Sequence, residues 1–192
     1  MGQAGQCEID ADGRLDSARW LGSTNADDRP HGVTPDLLII HNISLPPGHF
    51  GGPWIEQLFQ NRLETDAHPY FAGLVGLRVS AHLLIRRDGE LLQFVELHRR
   101  AWHAGRSDFQ GRPECNDYSI GIELEGSDLQ PFSPIQYERL ARVSAIIRRR
   151  YPAITFDRIT GHQDVAPGRK TDPGPAFDWT RFRAELSRRE SN

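Results

Sequence analysis

Leu37, Leu38, Ile39 and Ile40 form an unbroken apolar run that ends in His41. Successive side chains of an extended chain point to opposite faces, so a strand of this composition has to be covered on both sides. A central strand is predicted here, with His41 at its edge, where sites are commonly built. The alternation over residues 118–125 is different. Ile120, Ile122 and Leu124 point one way, and Ser119, Gly121, Glu123 and Glu125 point the other, so this strand is expected to carry two carboxylates away from its apolar side. Residues 81–86 and 90–95 flank Asp88 and Gly89, a turn pair that predicts a β-hairpin.

Helical spacing appears where the period changes from two to between three and four. Tyr137, Leu140, Ala141, Ser144 and Ile147 predict one buried stripe. Ser133, Pro134, Ile135 and Gln136 supply a capping box with proline at the first helical position, and Pro152 stops the helix after about Tyr151. Pro53 is placed as the first residue of a short helix that buries Ile55, Leu58 and Phe59; Asp178 is placed as the cap of a last helix through Trp179, Phe182 and Leu186. Residues 44–52 form a loop rich in glycine and proline. Residues 1–36 are rich in Asp, Gly, Ser and Asn, with Trp20 and Leu21 as apolar anchors, and read as a partly extended lead-in. Strands mixed with helices and one hairpin predict an α/β (α+β) single domain around a central mixed sheet flanked by helices. The division expected is a lead-in over residues 1–30, packed on or near a domain of residues 31–192.

A chain of 192 residues can bury one substantial core. Lys plus Arg number 23 against 26 Asp plus Glu, a formal charge of −3, so no basic field exists to hold nucleic acid. Arg148, Arg149 and Arg150 end the long helix, where positive charge complements the helix dipole. No apolar run approaches the roughly 18 residues of a membrane span, and residues 1–13 are acidic and polar, without the pattern of an export signal. With only Cys7 and Cys115, no disulfide framework is available. A soluble cytoplasmic protein is the expectation.

Of the 23 basic residues only Lys170 is lysine, and it lies in the densest run of reactive side chains: Gly161, His162, Gln163, Asp164, then Arg169, Lys170, Thr171, Asp172. A compact ammonium approaches a single oxyanion more closely than a flat guanidinium does. A catalytic zinc site needs about three nitrogen or oxygen ligands and one open position, which His41, His162 and Asp172 can supply. Their spacing is not HExxH, and ligands more than about a hundred residues apart cannot be read from spacing. The residues alone point to metal-assisted hydrolysis of an amide or ester.

Five blocks, in order, carry a resemblance: LLIIHNISLPPG (residues 37–48), VSAHLLIRRDG (79–89), AWHAG (101–105), NDYSIGIELEG (116–126) and GHQDVAPGRKTDPG (161–174). Over roughly residues 30–186 the chain closely resembles the cytosolic bacterial 1,6-anhydro-N-acetylmuramyl-L-alanine amidases, within the zinc amidase family shared with T7 lysozyme and the peptidoglycan recognition proteins. The resemblance implies that family's fold and one catalytic zinc on His41, His162 and Asp172. It makes Glu123 the catalytic carboxylate that moves a proton and Lys170 the cation beside the developing oxyanion. Candidate substrate contacts are Asn42, Arg78, Trp102 and His103. Arg112 is the candidate for the peptide end, because the stretch GRPEC (111–115) has Glu114 where some relatives have arginine. The loop 44–52 is a candidate lid.

The implied reaction is hydrolysis of the amide between anhydro-N-acetylmuramic acid and L-alanine of small cytosolic muropeptides, by a monomer, in cell-wall recycling. An indirect influence on β-lactamase expression is implied with it. Two alternatives remain open at this point: an autolysin or endolysin amidase acting on the murein sacculus, and a non-catalytic module that recognises peptidoglycan.

Overall fold

A computed structural model describes residues 8–191; Cys7 and the first part of the lead-in lie outside them. Six strands make one sheet: β1 (Arg19–Trp20), β2 (Leu37–Ile43), β3 (Leu83–Ile85), β4 (Leu91–Gln93), β5 (Ser119–Glu125) and β6 (Ile159–Gly161). Their order across the sheet is β1-β4-β3-β5-β2-β6. Only the β3–β4 hairpin is antiparallel, so the sheet is mixed as the pattern predicts. Gly89 supplies the hairpin turn with φ +86°, a conformation L side chains rarely adopt.

The helices are α1 (Trp54–Phe59), α2 (Pro134–Arg150), α3 (His162–Val165) and α4 (Trp179–Glu190). The sheet's two faces bury different partners. Leu38 and Ile40 of β2 join Ile120, Ile122 and Leu124 of β5 under Leu140, Ala141 and Ile147 of α2 and Phe182 and Leu186 of α4. Leu37 and Ile39 look the other way, toward Cys115, Tyr118 and Val165. Ile55, Leu58 and Phe59 of α1 form a third cluster with Leu84, Leu92 and Phe94. Both faces of β2 are therefore dry, which is what an unbroken apolar run requires.

α2 starts where Gln136 turns back to accept from the Ser133 N–H at 3.0 Å, and the expected stripe is buried in full. Gln136 is buried as well, donating to the carbonyls of Ile85 and Glu125, which fastens the helix start to β3 and β5. Asp178 caps α4 by accepting from Arg181 N–H at 2.9 Å. Pro53 precedes α1 as its cap residue, one position earlier than expected.

β5 separates its two sides as expected, with Ile120, Ile122 and Leu124 in the core and both carboxylates away from it. Its polar side does not face solvent: Glu123 is 8% exposed and Glu125 2%. β5 is a central strand, and loops cover that side. Gly51 of the 44–52 loop lies over Glu125, and the His103 ring lies over Gly121. An alternating pattern reports two chemically different sides; which side sees water depends on what the rest of the chain lays over it.

The lead-in adds β1 to the sheet edge, parallel to β4. Arg29 inserts its guanidinium among backbone carbonyls, donating to His98, Asn116, Asp117, Leu97 and Ser119 at 2.9–3.3 Å. Among the described residues no helix is long and apolar enough to cross a membrane.

Candidate metal centre and active site

Three elements meet at one end of the sheet. His41 is the fifth residue of β2, and β6 runs parallel beside it with Gly161 opposite Ile40. His162, which follows Gly161 and opens α3, therefore emerges next to His41. The chain then turns back: Lys170 N–H donates to the Ala166 carbonyl, and the Asp172 carbonyl accepts from Gln163 N–H, which brings the Asp172 side chain over both imidazoles.

The result is a near-equilateral triangle. His41 Nδ1 lies 3.0 Å from His162 Nδ1 and 3.1 Å from Asp172 Oδ2, and His162 Nδ1 lies 3.0 Å from that same oxygen. Zinc held at 2.0–2.1 Å in a tetrahedral site separates its ligand atoms by roughly 3.3 Å, so the spacing suits such an ion. The donor chemistry fits too. His162 Nε2 faces the Ala104 carbonyl at 3.1 Å, which only accepts, so Nε2 carries the proton and Nδ1 presents a lone pair to the triangle. Burial pulls the His41 imidazole down to about 4. Burial pushes the Asp172 carboxyl up, but its interactions with the His162 and His41 rings outweigh that and hold the group well below the usual carboxylate range. Two neutral imidazoles and one carboxylate are the protonation states that ligate a divalent cation. Among the described residues, these three form the one such group.

Glu123 stands directly across from His41 in the β2–β5 register. Its Oε2 is buried without a hydrogen-bond partner. Burial raises its carboxyl well above the ordinary value, Asp172 raises it further, and Lys170 opposes the shift. Lys170 itself is exposed at the rim. These groups line a cavity of about 480 Å³ together with Asn42, Arg78, Trp102 and His103.

The remaining sequence candidates divide. Arg78 is exposed and has no hydrogen-bond or ionic partner among the described residues. Trp102 Nε1 is buried and likewise unpartnered. Asn42 spends its amide N–H groups on Asp128 Oδ1 (2.7 Å) and the Pro173 carbonyl (3.1 Å), which leaves its oxygen for other contacts. His103 sits behind a ligand, with Nδ1 2.9 Å from His41 Nε2. Arg112 is outside the cavity lining, on a two-residue ribbon, paired with Asp36 at 2.7 Å and stacked on Tyr118. The 44–52 loop is tied down by Ser44 Oγ, which accepts from Gly48 N–H, and by Glu125, which accepts from Gly51 N–H.

Several residues at the site were not singled out from the sequence. Asn116 accepts from the N–H groups of His103 and Ala104, Ser119 meets the far side of the His103 ring, and Arg169 donates to the Ala104 carbonyl. The one local signal was Gly121, a glycine inside a strand, which often marks a close approach.

Fold and site together define a mixed α/β domain with a three-donor site suited to a divalent cation at one end of its sheet. The chain belongs to the N-acetylmuramoyl-L-alanine amidase family, matching it over residues 31–175. Within that family it is similar to the 1,6-anhydro-N-acetylmuramyl-L-alanine amidase AmpD of Citrobacter freundii, 58% identical over 173 residues, or 90% of this chain and 92% of the relative. A crystal structure of a selenomethionine AmpD derivative superposes with TM-score 0.89 at 57% identity, covering 91% of this chain and 97% of the other. The amidase AmiD of Escherichia coli, in complex with the substrate anhydro-N-acetylmuramic acid-L-Ala-D-γ-Glu-L-Lys, gives TM-score 0.59 at 29% identity, covering 82% and 60%.

Proposed function

We propose that the chain is a zinc-dependent amidase that hydrolyses the amide between anhydro-N-acetylmuramic acid and L-alanine of soluble muropeptides, in the cytosolic recycling of cell wall. One observation carries this reading: three lone-pair donors converge at 3.0–3.1 Å, two of them on the wall of a cavity that is also lined by a carboxylate with a buried, unpartnered oxygen. The high identity to relatives named for that substrate supports the choice of bond.

His41, His162 and Asp172 would hold the zinc. When bound, zinc acidifies water toward a pKa of about 7 and polarises a carbonyl. Glu123 Oε2 has no competing donor, so it is free to take the proton of the attacking water and pass it to the leaving amine of L-alanine. Its raised affinity for protons makes it an effective acceptor and a competent acid in the next step. Lys170 lines the cavity at its rim, where its ammonium would stabilise the oxygen that becomes negative as the carbonyl is attacked. Trp102 offers its indole face and a free N–H to the sugar, Asn42 its amide oxygen to a peptide N–H, and Arg78 an uncommitted guanidinium to a peptide carboxylate. The site is built from one chain, so a monomer suffices.

Digesting soluble anhydromuropeptide beside intact sacculi, with and without a chelator, tests the reading. Release of the stem peptide that stops on chelation and returns with zinc is expected, with sacculi cut slowly. Chelator-insensitive turnover, or rapid sacculus digestion, sinks it.

A further inference from the structure

The two imidazoles of the triangle are aimed by one short stretch of backbone. His41 Nε2 meets His103 Nδ1 at 2.9 Å, and His162 Nε2 meets the carbonyl of the next residue, Ala104, at 3.1 Å. These adjacent residues therefore receive the outer nitrogen of one histidine on a side chain and of the other on a carbonyl. The N–H groups of that stretch are held by one buried side chain: Asn116 Oδ1 accepts from His103 N–H at 3.2 Å and from Ala104 N–H at 2.8 Å, while Arg169 donates to the Ala104 carbonyl. Asn116 is 6% exposed, and its own carbonyl is fixed by Arg29.

The His103 arm is defined at its far end as well. His103 Nε2 lies 3.2 Å from Ser119 Oγ, and the ring rests on Gly121, where a Cβ would fall 2.4 Å from Nδ1. No side chain fits there while the ring keeps this place. For His41 to offer a lone pair at Nδ1, its proton must sit on Nε2 and be given to His103 Nδ1. That in turn puts the His103 proton on Nε2, facing Ser119.

We propose that Asn116 is a positioning residue for the metal centre, bracing His103 and Ala104 so that one segment orients both histidine ligands. The proposal rests on the reading that His41, His162 and Asp172 bind zinc. Outer partners of this kind change metal affinity by roughly 10–100-fold when removed. Asn116→Leu keeps the volume but removes the accepting oxygen, whereas Asn116→Asp keeps an oxygen in the same place. Gly121→Ala leaves Asn116 intact and displaces only the His103 ring.

The test measures zinc affinity by chelator competition and the visible spectrum of the cobalt-substituted protein, with far-UV circular dichroism as the check on folding. Asn116→Leu and Gly121→Ala are expected to weaken zinc by about 10–100-fold and to shift the cobalt bands, while Asn116→Asp stays near wild type. Folded Asn116→Leu with wild-type affinity and bands overturns the brace. Should Asn116→Leu fail to fold, Asn116→Ala takes its place: weakened zinc with shifted cobalt bands supports the brace, and wild-type affinity and bands overturn it. A wild-type protein that binds no zinc at all instead defeats the metal reading on which the brace depends.

Discussion

Glu123 and Glu125 lie two residues apart on the same side of β5, both buried, yet the protein treats them in opposite ways. Glu125 is saturated: it accepts from Gly51 N–H at 2.6 Å, Arg86 Nη1 at 2.9 Å and Arg87 N–H at 3.1 Å. Arg86 extends the network to Glu56 and to the Gly52 carbonyl, which fixes α1 and the 44–52 loop to the sheet. Glu123 has an oxygen with no partner and a proton affinity raised by burial. Taking a carboxylate out of water is costly unless it is paired and hydrogen-bonded. The fold meets that condition at Glu125, where the carboxylate holds a loop in place. At Glu123 it leaves the cost standing, and the group stays available to a substrate.

Replacing each member shows whether the contrast holds. Glu123→Gln is expected to lower turnover by about a hundredfold to ten-thousandfold with no loss of unfolding free energy, because the removed charge was unpartnered. Single-turnover kinetics beside urea unfolding separates the two quantities, and activity near wild type removes Glu123 from the chemistry. Glu125→Ala is expected to behave in the reverse sense. Removing Glu125 leaves Arg86 with Glu56 as its carboxylate partner but strands the Gly51 and Arg87 N–H groups, at a cost of about 1–3 kcal/mol of stability for each unsatisfied group. A loss as small as that of a surface pair, under about 1 kcal/mol, contradicts the structural role.

Lys170→Ala sharpens the comparison from the opposite charge. Lys170 is exposed and anchors nothing in the fold, so zinc content and melting temperature stay unchanged, while turnover falls by about a hundredfold to a thousandfold. Zinc lost along with activity would assign it to the metal centre instead.

The smallest effect concerns His82, a buried titratable group fully partnered in its neutral form. Gly121 N–H donates to its Nδ1 at 3.0 Å, so Nε2 carries the proton and donates to the Arg99 carbonyl at 3.0 Å. Burial, aided by the nearby Arg29 charge, lowers its pKa to about 3. Below about pH 6.5 the unfolded chain takes up a proton that the folded one refuses, so stability falls as pH drops from there toward 3. This group contributes a slope of about 1.4 kcal/mol per pH unit. His82→Gln can accept from Gly121 and donate to Arg99, and is expected to reduce the slope by that amount in urea titrations of chelator-treated protein. An unchanged slope places the proton uptake elsewhere.

Local order was legible where a pattern had a single physical solution. The all-apolar run of β2, the capped stripe of α2, the Asp-Gly hairpin and the Asp178 cap each appear where residue spacing put them. The exposure of the polar side of β5 was not legible, because alternation distinguishes two sides without saying what covers either. The covering residues, Gly51 and His103, come from loops with no periodicity of their own.

The sequence by itself determined the residue types, the strand that carries His41, the strand that carries Glu123 and, through five ordered blocks, the family. Tertiary structure alone decided that His41 and His162, 121 positions apart, would share a 3.0 Å contact, and that one of two neighbouring glutamates would be saturated and the other left bare. The reason is that secondary structure follows from neighbours along the chain, whereas ligation, desolvation and proton affinity follow from neighbours in space, which a parallel sheet draws from segments far apart in sequence.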